Sequence, residues 1–347
     1  MAKKLIIGFL LAFLLSNMIM LRGQNKFFDG SKAHHTKIGF TNPYLAKEFE
    51  KKKFTDLFKM MTEDRPDPEF KESKKVDRKL LIEHINSKTD FITWVGHSTL
   101  LVHIKGKLIL TDPIFSDRCA PVQFAGPKRY TSPAISIDSL PPIDIIVISH
   151  NHFDHLDRNT VAALKKNQST KWFVPLGLKT WFEGMGVVNV FELDWYENHS
   201  FSGVNVTCLP SQHWSKRTLM KSFDTLWASW SIEIGGFRFW FAGDTGYNSV
   251  QFKEIGEKYG PFDISAIPIG AYEPRWFMKN YHVNPEESLK IHADIKSKKT
   301  IGIHFGTFIL TTEPVNEPEE KVSKLLEAND VSGEEFIVPK HGEIYFP

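Results

Sequence analysis

The stretch of sequence that decides the fold is Ser149-His150-Asn151-His152-Phe153-Asp154-His155-Leu156-Asp157. It follows directly on residues 144–149, an apolar run of the kind found in strands that are buried on both faces. Four ligand-type residues therefore lie within six positions, at the point where a rigid strand gives way to a loop. Because zinc accepts imidazole nitrogens and carboxylate oxygens, the stretch predicts a metal site at a strand end.

Three further residues of ligand type stand at similar places later in the chain. His213, Asp244 and His304 each end or follow an apolar run that predicts a strand. A lone histidine or aspartate is more often structural than functional. Three of them at strand ends, beyond the first cluster, favour a metal site that all of them share.

Hydrophobic periodicity predicts strands and helices in two similar halves. The predicted strands are 91–95, 99–104, 107–111, 144–149, 171–175, 204–209, 227–234, 237–242, 264–269, 300–304 and 335–338. The predicted helices are 158–166, 177–184, 284–292 and 317–328. Two halves of this kind predict an α/β fold with two sheets face to face and helices outside, an αββα sandwich.

The order His-x-His-x-Asp-His, followed by His, Asp and His, resembles the pattern of the metallo-β-lactamase superfamily. The resemblance covers about residues 91–347 and implies the αββα fold with two zinc ions. The residues that it implies for the first zinc are His150, His152 and His213. Those for the second are Asp154, His155 and His304, with Asp244 bridging both ions.

Two zinc ions suit a hydrolase, because zinc lowers the pKa of a bound water from about 16 to about 7. Two ions about 4 Å apart can also bind both oxygens of a displacement at phosphorus. Asp154, which could accept a hydrogen bond from the nucleophile, and Asp244 are therefore expected to be catalytic as well. Iron and manganese accept the same ligand types, so the sequence does not fix the metal.

Shorter motifs resemble one group within the superfamily, the N-acyl-phosphatidylethanolamine-hydrolysing phospholipases D. The motifs are Trp94-Val-Gly-His-Ser-Thr99, Thr111-Asp-Pro-Ile-Phe-Ser116, Gly126-Pro-Lys-Arg129, Leu140-Pro-Pro-Ile-Asp144, Gln212-His-Trp214, Arg217-Thr-Leu219, Phe241-Ala-Gly-Asp-Thr-Gly-Tyr247, Ile267-Pro-Ile-Gly-Ala-Tyr-Glu-Pro-Arg-Trp-Phe-Met278 and His304-Phe-Gly-Thr307. The resemblance implies hydrolysis of a glycerophospholipid phosphodiester. The products would be an N-acylethanolamine and phosphatidic acid.

The resemblance also implies substrate-binding residues. A Gln-His pair lines the site in that family and aligns with Tyr281-His282. His282 is expected to bind substrate and take part in catalysis, whereas Tyr281 replaces the glutamine with a bulkier hydrogen-bonding group. Residues 276–278 beside Arg275 would offer an apolar wall and a cation to a lipid, although core packing explains such residues more often.

Several polar residues keep two interpretations. Asp157 could orient a metal-binding imidazole or cap the following helix. Lys128 and Arg129 could bind lipid phosphate or be two solvated surface charges. His97 and His341 are interpreted as structural or as supporting the ligands, since seven ligands are already assigned.

The two cysteines, Cys119 and Cys208, form no metal motif. We interpret both as small buried hydrophobic residues, with one disulfide bond conceivable in an exported protein.

The N-terminal residues and the net charge indicate where the protein is located and what it binds. Residues 5–21 are mainly apolar and follow Lys3 and Lys4, which predicts a signal or membrane anchor over 1–22. A charged extension (23–90) and the catalytic domain (91–347) follow. The protein would be membrane-associated or exported, with phospholipid and the membrane surface as partners. A net charge of +2 argues against nucleic acid, and a homodimer remains open.

Two other functions fit parts of the pattern. A hydrolase of the same fold could act on a soluble ester, lactone or cyclic phosphodiester. A metal-binding or redox scaffold without hydrolysis fits less well: iron-containing relatives carry a flavin domain and a carboxylate where this chain has His152. A β-lactamase proper is disfavoured because its second metal uses different ligands.

Overall fold

The computed structural model describes residues 24–45, 54–218 and 221–347. The predicted signal or anchor at 1–22 lies outside these residues. Within the described ranges, none of the helices combines the length and the apolar character that crossing a bilayer requires.

The chain ahead of the catalytic domain packs against that domain. It contributes a short antiparallel pair, β1 (His35–Thr36) and β2 (Gly39–Phe40). Two helices follow, α1 (Phe54–Thr62) and α2 (Arg78–Asn86). The boundary at residue 91 stays a prediction, since side chains on both sides of it share one apolar core.

The first half of the catalytic domain alternates strands with short helices. Its strands are β3 (Phe91–Gly96), β4 (Thr99–Ile104), β5 (Lys107–Thr111), β6 (Ile145–Val147), β7 (Lys171–Pro175) and β8 (Val190–Leu193). Its helices are α3 (Arg158–Leu164) and α4 (Lys179–Gly184), and Ile137–Ser139 forms one turn of 3-10 helix.

The second half repeats this plan. Its strands are β9 (Asn198–Phe201), β10 (Val204–Leu209), β11 (Ser229–Ile234), β12 (Phe237–Phe241), β13 (Ile264–Pro268), β14 (Thr300–Ile303) and β15 (Phe336–Ile337). Its helices are α5 (Gln251–Lys258), α6 (Arg275–Met278), α7 (Pro285–Asp294) and α8 (Glu317–Ala328). A final strand, β16 (Ile344–Tyr345), returns to the first sheet.

The strands form two seven-stranded sheets with matching topology. The first has the order β16-β3-β4-β5-β6-β7-β8, and the second β15-β14-β13-β12-β11-β10-β9. In each, antiparallel hairpins are followed by parallel strands, which run from β5 to β8 and from β12 to β15. The parallel strands of each sheet therefore end at one edge, where their loops can combine side chains.

Three apolar layers hold the sheets and helices together. The middle layer lies between the sheets and interleaves residues such as Trp94 and Ile109 with Trp230 and Phe239. One outer layer packs α2, α3 and α4 on the first sheet, and the other packs α5 and α7 on the second. This arrangement is the predicted αββα sandwich.

The strands that sequence analysis missed are edge strands or very short. In β9, exposed and half-buried residues alternate and three of the four residues are polar, so the strand lacks a strong apolar pattern. The helix α5 was missed as well, and it contains Gly256, a poor helix former.

Both cysteines are buried and unpaired. Their interpretation as small hydrophobic residues is confirmed, and the conceivable disulfide bond between them is not formed.

Gly256 lies where two helices of the second outer layer, α5 and α7, approach each other closely. A Cβ atom at this position would lie 2.0 Å from the carbonyl oxygen of Asp294 at the end of α7. We expect Gly256→Ala to lower the free energy of unfolding by about 1–3 kcal/mol, because backbone would have to move. Chemical denaturation measures this effect.

Gly184→Ala is the matched control, since a Cβ there would meet no atom within 4 Å. It should leave stability unchanged or raise it slightly. Equal effects of the two substitutions would contradict the packing argument.

Candidate metal centre

Three histidine nitrogens converge at the end of the sheets where β6 and β10 terminate. His150 Nε2 lies 2.8 Å from His152 Nδ1, and His213 Nε2 lies 3.2 Å from the same atom. We call these residues the three-histidine group. They are the residues predicted to hold the first metal ion.

The outer nitrogens of this group show which inner nitrogens lack a proton. His213 Nδ1 lies 2.9 Å from the Tyr281 carbonyl oxygen, so it carries the ring proton and leaves Nε2 bare. Ser149 Oγ donates to Asp112 and therefore accepts from His150 Nδ1 at 2.8 Å, which leaves His150 Nε2 bare too. Two lone pairs then face His152 Nδ1, which can offer a single proton. A cation resolves this conflict.

A second set of ligand atoms adjoins the first. The Asp154 carboxylate lies 3.3 Å from His155 Nε2 and 3.4 Å from His304 Nε2. Asp244 lies 3.2 Å from His155 Nε2 and 3.1 Å from His304 Nε2. We call Asp154, His155 and His304 the carboxylate group.

Asp244 connects the two groups. Its Oδ2 is also 3.7 Å from His213 Nε2 and 4.0 Å from His150 Nε2, both in the three-histidine group. Its position between the groups is the one expected for a bridging ligand.

The electrostatics of the carboxylate group also favour a cation. Burial lowers the pKa of His304, but the Asp244 and Asp154 carboxylates outweigh burial and raise it to about 9. The same carboxylates, with Asp112, raise the pKa of His155 against the effect of burial. Protons on these rings occupy the place of positive charge, and a metal ion that binds here has to displace them.

Unsatisfied polar atoms identify the cluster as the place for a bound group. The buried side-chain atoms without a well-aligned hydrogen bond among the described residues include His152 Nε2, His155 Nε2, Asp244 Oδ1, His304 Nδ1 and His304 Nε2. Buried polar atoms rarely stay unpaired in proteins. Two adjoining groups of nitrogen and oxygen ligands therefore fit divalent metal ions.

Backbone strain helps to aim these side chains. His97, Asp112 and His304 have φ angles of 54°, 31° and 63°, in the left-handed region that residues other than glycine seldom adopt. The His304 amide donates to the His97 carbonyl oxygen at 3.0 Å, which ties the end of β14 to the end of β3. Strained residues of this kind concentrate at functional sites.

Asp112 is the supporting carboxylate that sequence analysis missed. Its Oδ2 lies 2.6 Å from His155 Nδ1, and it also accepts hydrogen bonds from the amide and hydroxyl of Ser149. It therefore fixes which His155 nitrogen faces the cluster. The available signal was an aspartate directly after a buried strand, in Thr111-Asp112.

Asp157 caps the helix that follows it, which is one of its two predicted roles. Its carboxylate caps α3 by accepting the Asn159 amide at 3.1 Å, and it also accepts from Thr160 and Ser116. The interpretation of Asp157 as the carboxylate that orients an imidazole is therefore wrong.

His97 contacts the carboxylate group, in agreement with its interpretation as a residue that supports the ligands. Its Nε2 lies 3.0 Å from Asp154 Oδ2, and with Asp154, His155 and His304 it forms one set of possible ligands. Burial and the neighbouring His304 lower the pKa of His97 to about 3, so its ring is neutral. His341 stands outside these groups, with its ring 3.9 Å from that of Trp94.

The predicted substrate residues differ in position. His282 lies at the mouth of the cluster, with Nδ1 3.9 Å from Asp244 and 14% of its side chain exposed. Tyr281 is buried, and its carbonyl oxygen accepts the His213 hydrogen bond. Substrate contact by either residue stays a prediction.

Two of the cations that were considered for lipid phosphate have partners inside the protein. Arg275 donates to Glu287 at 2.7 Å and to the His282 carbonyl oxygen at 2.8 Å. Arg129 is buried and donates to the Ile114 carbonyl oxygen at 2.8 Å. The interpretation of Arg129 as a solvated surface charge is therefore wrong.

The N-terminal segment reaches the metal centre. Asn42 Nδ2 donates to the His213 carbonyl oxygen at 2.8 Å, and the Phe40 amide donates to the Phe223 carbonyl oxygen at 2.8 Å. We call residues 24–45 the strap. Its contact with His213 was not predicted, because nothing in the local sequence around Asn42 indicates it.

A third cluster, which anchors the strap, is already satisfied by hydrogen bonds. His34 and His35 donate to the buried Asp194 carboxylate at 2.7 and 2.9 Å, and Lys32 binds it at 2.5 Å. Since the lysine ammonium supplies positive charge there, this cluster is a salt-bridged anchor and offers no vacant place for a metal.

The comparisons with known proteins agree with this geometry. The family model of the beta-lactamase superfamily domain matches residues 107–305, which include the ligand residues of both groups. The chain belongs to the metallo-β-lactamase superfamily.

The chain is also similar to curated hydrolases. It is 42% identical over 310 residues to N-acyl-phosphatidylethanolamine-hydrolyzing phospholipase D 1 of Caenorhabditis elegans, covering 84% of this chain and 87% of that protein. It is 39% identical to the mitochondrial N-acyl-phosphatidylethanolamine-hydrolyzing phospholipase D of Saccharomyces cerevisiae, over 68% of this chain and 51% of that protein. The chain is therefore a hydrolase of the metal-dependent class.

Solved structures support the fold. A metallo hydrolase from Ignicoccus hospitalis superposes with a TM-score of 0.55 at 20% identity, covering 74% of this chain and 97% of that chain. At this identity the likeness concerns the fold alone.

The role of Asp112 can be tested by metal binding. We expect Asp112→Asn to weaken metal affinity about 10- to 100-fold, because the amide no longer holds His155 in its orientation. Titration of the metal-free protein with zinc measures this effect. Asp144→Asn is the control, because Asp144 accepts the Leu108 amide at the opposite end of the β5–β6 pair; equal losses in both variants would contradict the assignment.

The two groups also predict different metal losses. His152→Ala removes a ligand of one group and should lower bound metal by about one ion per chain, whereas Asp244→Ala should weaken both sites. Both variants should lose turnover while the circular dichroism spectrum is kept. His84→Ala, on α2 outside these groups, is the control, and full activity of either ligand variant would disprove the site.

Proposed function

We propose that this hydrolase is a zinc-dependent phosphodiesterase that converts N-acyl-phosphatidylethanolamine into an N-acylethanolamine and phosphatidic acid. The observation that carries the proposal is the position of Asp244 between two ligand groups. Paired metal sites of this kind suit displacement at phosphorus. The relatives from C. elegans and S. cerevisiae, which bear this activity in their names, support the choice of substrate.

The reaction needs a nucleophile, charge stabilisation and a proton for the leaving group. Two bound zinc ions would supply an activated water and positive charge beside the phosphoryl oxygens. A new P–O bond forms to the water oxygen, the P–O bond to the N-acylethanolamine breaks, and the leaving oxygen takes up a proton.

The chain's own residues have separate tasks in this reaction. Asp154, whose carboxylate faces the cluster, would accept a hydrogen bond from the attacking water. His282 is at the mouth, and its imidazole N–H would donate to a phosphoryl oxygen. Arg275 positions His282 through the hydrogen bond to its carbonyl oxygen.

Residue 281 is proposed to act on the shape of the pocket. Tyr281 is buried, with its ring 6.3 Å from that of Trp214. In this position it would shape one wall of the pocket, while its carbonyl holds His213. We propose that this wall affects head-group selectivity.

The proposal also concerns location. We propose that residues 1–22 serve as a membrane anchor or export signal, ahead of the extension at 23–90 and the catalytic domain at 91–347. An apolar N-terminal run of this length would bring the enzyme to the surface where its substrate lies.

Substrate turnover with and without a chelator tests the proposal. Zinc-loaded protein in mixed micelles should release N-acylethanolamine from N-acyl-phosphatidylethanolamine, and the chelator should stop it. Phosphatidylethanolamine and phosphatidylcholine should react more slowly by at least about tenfold, as expected when a substrate group that the site binds is missing.

Other outcomes separate the parts of the proposal. Equal chelator-sensitive turnover of all three lipids would keep the phosphodiesterase and disprove the head-group selectivity. No lipid turnover, with hydrolysis of a soluble lactone or cyclic phosphodiester, would disprove the lipid substrate.

A further inference from the structure

A loop at residues 117–129 presents an apolar tip to solvent. Six consecutive residues at the tip, Pro-Val-Gln-Phe-Ala-Gly at 121–126, are all exposed. The side chain of Phe124 is 85% exposed, more than any other large hydrophobic residue in the described part of the chain, and Val122 is 37% exposed. Exposed apolar patches of this kind mark interaction surfaces.

The loop holds its tip in place by internal hydrogen bonds. The Arg129 amide donates to the Asp117 carbonyl oxygen at 2.7 Å, which closes the base of the loop. Arg118 and Gln123 exchange two hydrogen bonds of 3.0 Å across it. Because these contacts fix the tip, Phe124 is displayed by the fold.

The loop stands beside the metal centre. Its base rests on Phe308, whose ring lies 4.7 Å from the Arg129 guanidinium and 5.4 Å from the ring of His97. His97 in turn contacts Asp154. Phe124 is five residues from Arg129, so chain length limits their separation to about 18 Å.

The charges around the tip favour one kind of partner. Arg118 and Lys128 flank it, and the nearest carboxylate in the sequence, Asp117, lies at the base of the loop. The Arg118 guanidinium also donates to the Gly126 carbonyl oxygen at the tip. An apolar tip between basic residues suits a phospholipid surface, where apolar side chains enter below the head groups and cations meet lipid phosphate.

We propose that the 117–129 loop inserts Val122 and Phe124 into a phospholipid surface and so holds the mouth of the metal centre against the lipid. The proposal rests on the proposed function, since a lipid substrate gives this contact its use. It assigns the membrane contact to a loop of the catalytic domain, separate from the proposed anchor or signal at residues 1–22.

A fluorophore at the tip tests this contact in the full-length chain. Phe124→Cys is labelled with a nitrobenzoxadiazole thiol reagent, and Val188→Cys is labelled in the same way as a matched control. Val188 is 65% exposed and lies just before β8, at the start of a parallel strand and so at the opposite end of the sheet. The natural cysteines are buried, and labelling of the unsubstituted protein checks that they do not react.

With vesicles of phosphatidylcholine containing about 30% phosphatidylglycerol, emission from the label at position 124 should shift to shorter wavelength and gain intensity. The label at position 188 should not change. Because the fluorescence reports on position 124 alone, it distinguishes membrane contact by the loop from membrane contact by the apolar residues 1–22, which could hold the whole chain on the vesicle.

Several results would overturn the proposal. An unchanged label at position 124 in protein that sediments with the vesicles would show that the loop stays in water. An emission already shifted without vesicles would show that the tip is covered by a second copy or by this chain. Failure of the protein to sediment with vesicles would also disprove it.

Turnover distinguishes this proposal from the proposed function. Phe124→Ser should lower hydrolysis of vesicle-bound N-acyl-phosphatidylethanolamine at least about tenfold, because burial of a phenyl group changes partitioning by about that factor. Val188→Ser, and hydrolysis of a monomeric short-chain substrate by either variant, should be unaffected. If no lipid is hydrolysed by any variant, the proposed function fails, while the fluorescence at position 124 still decides whether the loop enters the membrane.

Discussion

The placement of two buried carboxylates against histidine nitrogens is the constraint on which the rest of this structure depends. Asp154 and Asp244 lie 3.1–3.4 Å from His155 and His304. Buried carboxylates are costly unless a positive charge compensates them. The folded chain therefore keeps a place for cations, and two of the proteins it resembles are named as hydrolysing enzymes.

The fold stabilises this unfavourable arrangement through hydrogen bonds to the ring nitrogens that face away from the metal centre. Asp112 holds His155, the Tyr281 carbonyl holds His213, and Ser149 holds His150. The strap adds a further support, because Asn42 binds the backbone of His213 while the Asp194 salt bridges fasten the strap to the catalytic domain. A ligand that is held in this way does not have to be ordered when the metal binds.

The sequence predicted what is local and missed what depends on distant contacts. Residues 150–155 carry their own pattern, and strands such as β7 are strongly apolar, so both could be recognised. The roles of Asn42 and His97 arise only when separate parts of the chain meet. The ion pair of Arg275 was missed for the same reason, since its partner Glu287 is supplied by the next helix.

The metal centre alone does not select a lipid, because the same ligands can activate water for many substrates. Selection has to come from what surrounds the mouth. Two features of this chain could contribute to the selection, the buried ring of Tyr281 and the exposed side chain of Phe124. In the roles proposed above, Tyr281 would affect the shape of the pocket, and Phe124 would affect which surface the mouth can approach. If the two effects are independent, specificity for the head group and preference for a membrane can change separately while the ligands stay the same.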